Sequence, residues 1–190
     1  MRIEGHGFVL RPEQSEDAPA MARAFGDDPQ LAIDWGIDDA PDESTALAWT
    51  TEHAELWAKG EGRHFAVADP ETGEMIGGVN FHSIRPDHRR AEIGFWLVPG
   101  ARGRGIGTAA VAAACGWAFE HFGLVRIEMT TLPDNEASLG LARKVGFQRE
   151  GLLRSRNFER GDQVDIVMLS LLVGELMPAE PRARTSKPTS

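Results

Sequence analysis

Hydrophobic and polar positions alternate along this chain with two different periods. GFVLR at 7–11 reads as a short strand, and Asp17 to Phe25 has helical spacing, with Met21 and Phe25 four apart. From Asp42 to Lys59, Leu47, Trp49, Leu56 and Trp57 can share one helical stripe, which Gly60 stops. HFAVAD at 64–69 and MIGGVNFHSI at 75–84 read as strands around the turn PETGE at 70–74. RAEIGFWLVP at 90–99 is a further strand, with Ile93, Phe95 and Leu97 on one side and Glu92, Gly94, Trp96 and Val98 on the other. A helix from about Ile106 to Phe122 keeps apolar residues at 106, 110, 113, 114, 117 and 118, and Gly123 suits its end. VRIEMTT at 125–131 alternates as a strand, and Asn135 to Val145 reads as a helix ended by Gly146. Strands near 147–154 and 163–171 close the chain about a turn at 160–162.

This order predicts a mixed α/β domain with one dominant crossover, from strand 90–99 through helix 106–122 to strand 125–131. A crossover of that kind makes its two strands parallel.

At 190 residues the chain suits one domain, placed at 7–174, with a flexible tail at 175–190. No apolar run approaches the ~20 residues of a membrane span, which excludes an integral helical membrane protein. The first residues carry no apolar run of signal-peptide length, so a cytoplasmic protein is expected. Cys115 is the single cysteine, which excludes an internal disulfide and a Cys-rich metal site. The histidines at 6, 53, 64, 82, 88 and 121 show no HExxH spacing, and no metal is expected.

The net charge of −9 argues against nucleic acid as a partner. From Ala24 to Ala58 there is no Lys or Arg, and nine acids sit there, including Asp34, Asp38 and Asp39. This stretch reads either as a solvated helical face with an acidic loop, or as part of a pocket for a cationic substrate. The tail from Pro178 is basic and rich in Pro, Ser and Thr.

VPGARGRGIG at 98–107 lies between a strand and a helix, where backbone N–H groups and the positive helix end can hold an anion. Gly103, Gly105 and Gly107 allow a ligand close to the main chain, and Arg102 and Arg104 add charge. A P-loop would need a Lys after these glycines, and the dinucleotide pattern fails because position 108 is Thr. Taken alone, the segment also reads as a plain Gly-rich turn.

With its surroundings, the segment resembles the acyl-CoA site of the GNAT N-acetyltransferases. Arg102, Gly105 and Gly107 match that family's Gln/Arg-x-x-Gly-x-Gly/Ala signature, after the strand EIGFWLVP. Downstream, Asn135, Ser138 and the run Lys144-Val145-Gly146-Phe147 match in order. The likeness covers about residues 7–173 and is closest to the subgroup that acetylates N-termini of ribosomal proteins. It implies a mostly antiparallel central sheet, splayed at one parallel strand pair and flanked by helices. It also implies acetyl-CoA as co-substrate, with the pantetheine arm in the splay beside Leu97 and Val98. The pyrophosphate would sit on the amides of Arg102, Gly103, Arg104, Gly105, Ile106, Gly107 and Thr108. Asn135 would bond the pantetheine arm, or cap its helix, or both.

The reaction implied is attack of a neutral amine on the thioester carbonyl, whose oxyanion a backbone N–H near Leu97 would stabilise. The chain has no tyrosine, so the tyrosine acid used by many relatives is excluded. Ser138 is its replacement near the sulfur, or an ordinary first-turn serine. Glu92 is the chosen base, through water, or else a structural carboxylate; Asp38, Asp34 and His82 compete. Asn157 stands where some relatives carry a glutamate. Acceptor binding is expected from Trp35, Asp38 and His82, with the strand end at Phe81-His82 and the loop near 154–162. Trp35 reads equally as a core residue, and Cys115 as packing. An α-amine, with a pKa of about 7.7–8.0, needs less help from a base than a Lys near about 10.4. The resemblance implies a protein N-terminus as the acceptor, with a polyamine or amine-bearing antibiotic as runner-up. A non-catalytic acyl-CoA binder and transfer of another acyl group are the rival readings. The resemblance also admits a homodimer.

Overall fold

A computed structural model describes residues 1–37, 39–159 and 161–177. Eight strands form one sheet in the order β1-β2-β3-β4-β5-β6-β8-β7. β1 (Ile3–Gly5), β2 (Phe8–Pro12), β3 (Arg63–Ala68), β4 (Met75–Arg85) and β5 (Arg90–Leu97) run antiparallel in succession. β6 (Arg126–Thr131) lies parallel to β5, and β8 (Asp162–Leu172) and β7 (Gln148–Glu159) complete the far edge. The helices are α1 (Ala18–Asp27), α2 (Pro29–Asp34), α3 (Glu43–Lys59), α4 (Ile106–Phe122) and α5 (Glu136–Val145).

The pleat sends alternate side chains to two cores. Phe65, Val67, Phe81 and Ile93 pack with Val111 and Cys115 of α4. Ala66, Met75 and Trp96 pack with Met21 and Phe25 of α1 and Ala46 of α3. Burial pushes the Cys115 thiol up, which leaves it inert and fits a packing role.

The sheet opens at the parallel pair. β5 and β6 pair only at Arg90↔Arg126, Ala91↔Ile127 and Glu92↔Glu128, yet β5 continues to Leu97. Glu128, itself mostly buried, binds both Arg90 of β5 and Arg126 of β6 and so pins the closed end. Val98 N–H donates to Ile76 O at 2.9 Å on the β4 side. By strand alternation, the N–H and C=O groups of Phe95 and Leu97 therefore turn towards the splay, past the last β5–β6 pair.

Several elements differ from the sequence expectation. β1 and α2 were not expected; each is too short to show a period. Asp28 and Pro29 nevertheless start α2 in an ordinary way, with Asp28 Oδ1 accepting the Leu31 N–H at 3.3 Å. On α3 the inward stripe runs through Ala46, Trp49, Thr50 and His53, and Leu47 is 46% exposed. β7 extends through Glu159 rather than stopping near 154. Residues 175–177, read as the start of the tail, are tied down: Leu176 packs on the core, and Met177 N–H donates to Val145 O at 2.9 Å. Residues 178–190 lie outside the described residues. Among the described residues no helix is long and apolar enough to cross a membrane.

Candidate active site

A cleft of about 1200 Å³ occupies the splay between β5 and β6. One end is lined by Leu97, Arg102, Gly103, Gly105, Gly107 and Thr108, with Asn135, Ser138 and Leu141 of the α5 region. The other end brings in Asp34, Trp35, His64, Asn80, His82 and Arg156.

The start of α4 is built to receive a negative group. Its N-cap is Gly105 at φ +82°, a conformation that favours glycine, and no side chain caps it. The first-turn N–H groups keep their partial positive charge, with no acid among them to quench it. A Cβ on Gly107 would come within 3.1 Å of Leu141 Cδ1 and 3.2 Å of Leu97 Cδ1, so a side chain there would press on both leucines where three elements meet.

Some of the expected donor-binding residues have other partners. Arg102 donates from Nε to Leu97 O at 2.8 Å and forms an ion pair with the buried Asp28, so its guanidinium ties the glycine turn to α2 instead of standing free for phosphate. The Val98 amide belongs to the β4 ladder, as above, and Val98 does not line the cleft. Ile106 is a core residue, 3% exposed. Arg104 also lies off the cleft; its charge helps the Thr72 and Glu71 amides hold the Asp69 carboxyl below its usual range.

On the facing wall Asn135 caps α5, its Oδ1 accepting the Ser138 N–H at 3.0 Å. Its Nδ2 lies 3.4 Å from Asp34 Oδ2, a long contact that leaves the amide available. Ser138 is half-buried in the cleft wall, and its hydroxyl makes no hydrogen bond among the described residues.

At the other end, His82 and Glu92 are cross-strand partners of β4 and β5, with Nε2 and Oε2 at 3.5 Å. His82 Nδ1 lies 3.1 Å from Asn80 Oδ1. Glu92 does not itself line the cleft. Its contact with His82 holds the Glu92 carboxyl below the usual range, which weakens it as a base. His82 is the group that faces the cleft, and the base role expected of Glu92 meets that obstacle.

Trp35 lines the cleft and packs edge-on against Phe25 at 6.4 Å. Gly94 makes room for it, since a Cβ there would stand 3.2 Å from Trp35 Cη2 and 3.1 Å from Asn80 Oδ1. Asp38 lies outside the described residues. Of the other acids between Ala24 and Ala58, Asp34 is the one that lines the cleft, so most of that charge is a solvated face.

The fold also assembles a group that separation in sequence hid. His53 and His64 stack at 3.6 Å and 11°, and His53 Nδ1 lies 2.6 Å from Glu13 Oε2. His64 is 8% exposed, its Nδ1 has no partner among the described residues, and burial, then the charges of His53 and His82, push its pKa down to about 3. Glu13, His53 and His64 offer ligand atoms within 4.8 Å of one another. The near-parallel rings, however, hold their in-plane lone pairs in two planes about 3.6 Å apart, a poor arrangement for converging on one ion.

Residues 8–148 match the family model described as acetyltransferase (GNAT) domain. The chain belongs to the GNAT acetyltransferase family. It is an acyltransferase. An N-acetyltransferase of Bacillus subtilis, YoaA, is 29% identical over 170 residues, covering 90% of this chain and 96% of that protein. The [ribosomal protein uS5]-alanine N-acetyltransferase of Escherichia coli is 23% identical over 184 residues, covering 94% of each. Among solved structures, Mycobacterium smegmatis RimJ in complex with CoA-disulfide superposes with a TM-score of 0.80 at 26% identity, over 90% of this chain and 85% of that one. The GNAT fold, with its single parallel pair, is thus the fold of this chain.

Proposed function

We propose that the protein transfers the acetyl group of acetyl-CoA to a primary amine, the α-amine of a polypeptide, by direct attack in a ternary complex. The observation that carries this reading is one continuous cleft. It joins an unpaired β5 edge, an uncapped helix start and a cleft-facing imidazole.

Acetyl-CoA supplies a thioester that an amine can attack. The residues present fit it. The amides from Arg102 to Thr108 would hold the pyrophosphate at the start of α4. The open main chain at Phe95 would pair with the pantetheine arm, and Asn135 Nδ2 would donate to it. A Leu97 N–H facing the splay would stabilise an oxyanion. His82, with Nε2–H towards Glu92, would take the proton that the amine sheds at Nδ1, which turns from Asn80 to the amine; Glu92 acts through His82 as a positioning residue. Ser138, with its uncommitted hydroxyl, would donate a hydrogen bond to the departing thiolate.

The cleft lining favours an α-amine over a polyamine. It presents the acids Asp34 and Glu136 against the cations Lys144 and Arg156, with Arg102 already paired to Asp28, and a polyamine needs a surplus of acids. The E. coli relative named for the uS5 alanine is consistent with a polypeptide acceptor.

A thermal melt with acetyl-CoA tests the donor half. Ligand at ~100 times its dissociation constant adds about 2.7 kcal/mol of stability. The shift is expected in the wild type and lost in Gly105→Glu, which puts a carboxylate on the anion site. No shift in folded wild-type protein overturns the proposal.

A further inference from the structure

Arg156 stands where the β7–β8 ladder breaks. Leu153 pairs with Ile166 and Asn157 with Val164, so three residues of β7 face one of β8. Within this bulge Ser155 takes φ +50°, uncommon for a residue with a side chain, and its N–H donates to Asp165 Oδ1 at 2.8 Å. A bulge of this kind re-aims a side chain, and here Arg156 joins the cleft lining. Among the described residues Arg156 has no ion-pair or hydrogen-bond partner, whereas Arg102 is bound to Asp28. The charge of Arg156 reaches Glu92, the partner of His82, which places it at the amine end.

A strained bulge pinned by the opposite strand, delivering a guanidinium with no such partner into the cleft that the proposed base also lines, is a built feature that the acetyl transfer itself does not use. A guanidinium offers two parallel N–H donors, the geometry a carboxylate accepts. We propose that Arg156 reads a carboxylate on the acceptor, so that favoured acceptors carry a primary amine and a carboxylate close together. This rests on the amine-acceptor reading above and narrows it. The carboxylate can come from an acidic side chain early in a polypeptide, or from the α-carboxylate of a free amino acid or dipeptide. A polyamine would be repelled.

The test uses CoA-loaded protein and peptides with a free N-terminus and a label at the C-terminus, read by fluorescence anisotropy. A peptide with Glu at its third position should bind about tenfold tighter than its Gln twin. Arg156→Gln should bring that ratio to about one, Arg156→Lys should keep part of it, and Arg156→Glu should turn the preference towards Lys at that position. An acetyl-CoA-dependent melt shows that each variant is folded. Unlabelled dipeptides with free or amidated C-termini, added as competitors, identify the carboxylate source. The same Glu-to-Gln ratio in wild type and Arg156→Gln overturns the proposal, as does binding of neither peptide. Turnover is measured separately: peptides that bind with the Arg156-dependent ratio but are not acetylated would overturn the amine-transfer reading and leave the role of Arg156 standing.

Discussion

His82 and Glu92 face each other directly across the β4–β5 ladder, their side chains 3.5 Å apart, and His82 alone of the two lines the cleft. The pair has the logic of an imidazole held by a carboxylate behind it. His82→Asn should therefore lower kcat/KM by roughly a hundredfold or more, the range of lost general-base catalysis. Glu92→Gln should cost less, because the imidazole stays in the cleft and loses only the carboxylate that orients it. Binding of acetyl-CoA, followed by calorimetry, should hold in both. Equal losses in the two variants would contradict the pairing.

Gly94 sets the width of the acceptor end. A methyl group there presses on Asn80 Oδ1 and Trp35 Cη2, at 3.1 and 3.2 Å, and both must give way. Gly94→Ala should raise KM for the amine several-fold and leave KM for acetyl-CoA within about twofold. Steady-state kinetics with each substrate varied in turn separates the two.

Arg102 and Asp28 should behave as a coupled pair. Asp28 is mostly buried, so removing its partner leaves a costly charge, although the half-exposed Arg102 tempers the effect. A double-mutant cycle with Arg102→Ala and Asp28→Ala in urea should give a coupling of about 1 kcal/mol. Additive losses would mean that the ion pair does not tie the glycine turn to α2.

His64 makes stability depend on pH. Its folded pKa, about 3, lies below its unfolded value of about 6.5. Between these values the unfolded chain binds a proton that the folded chain refuses, so stability falls as pH falls through that window. At pH 5 this amounts to about 2 kcal/mol relative to pH 8. In His64→Gln that share of the acid destabilisation should vanish, seen as a smaller drop in the urea midpoint from pH 8 to pH 5. An identical drop in both proteins would contradict the buried neutral state.

Much of this architecture is legible in the chain because the helices and strands that build the splay are long enough to show their period. Strand 90–99, the glycine turn and helix 106–122 form one readable phrase, and Asn135 and Ser138 mark the facing wall. What escaped is non-local. The reach of Arg102 to Asp28 and the stacking of His53 on His64 depend on distant segments meeting. So does the turning of Val98 towards β4, which follows from ladder parity and not from residue type. Arg156 was hidden for a further reason: a bulge breaks the alternation by which side-chain direction is read.

The most direct test of the account is mass spectrometry of a peptide carrying both a free N-terminus and an internal lysine, after incubation with enzyme and acetyl-CoA. The account predicts one acetyl group on the α-amine, none on the lysine, and almost none on either with folded His82→Asn. An unmodified peptide alongside a protein that acetyl-CoA stabilises, or acetylation confined to the lysine, would contradict it.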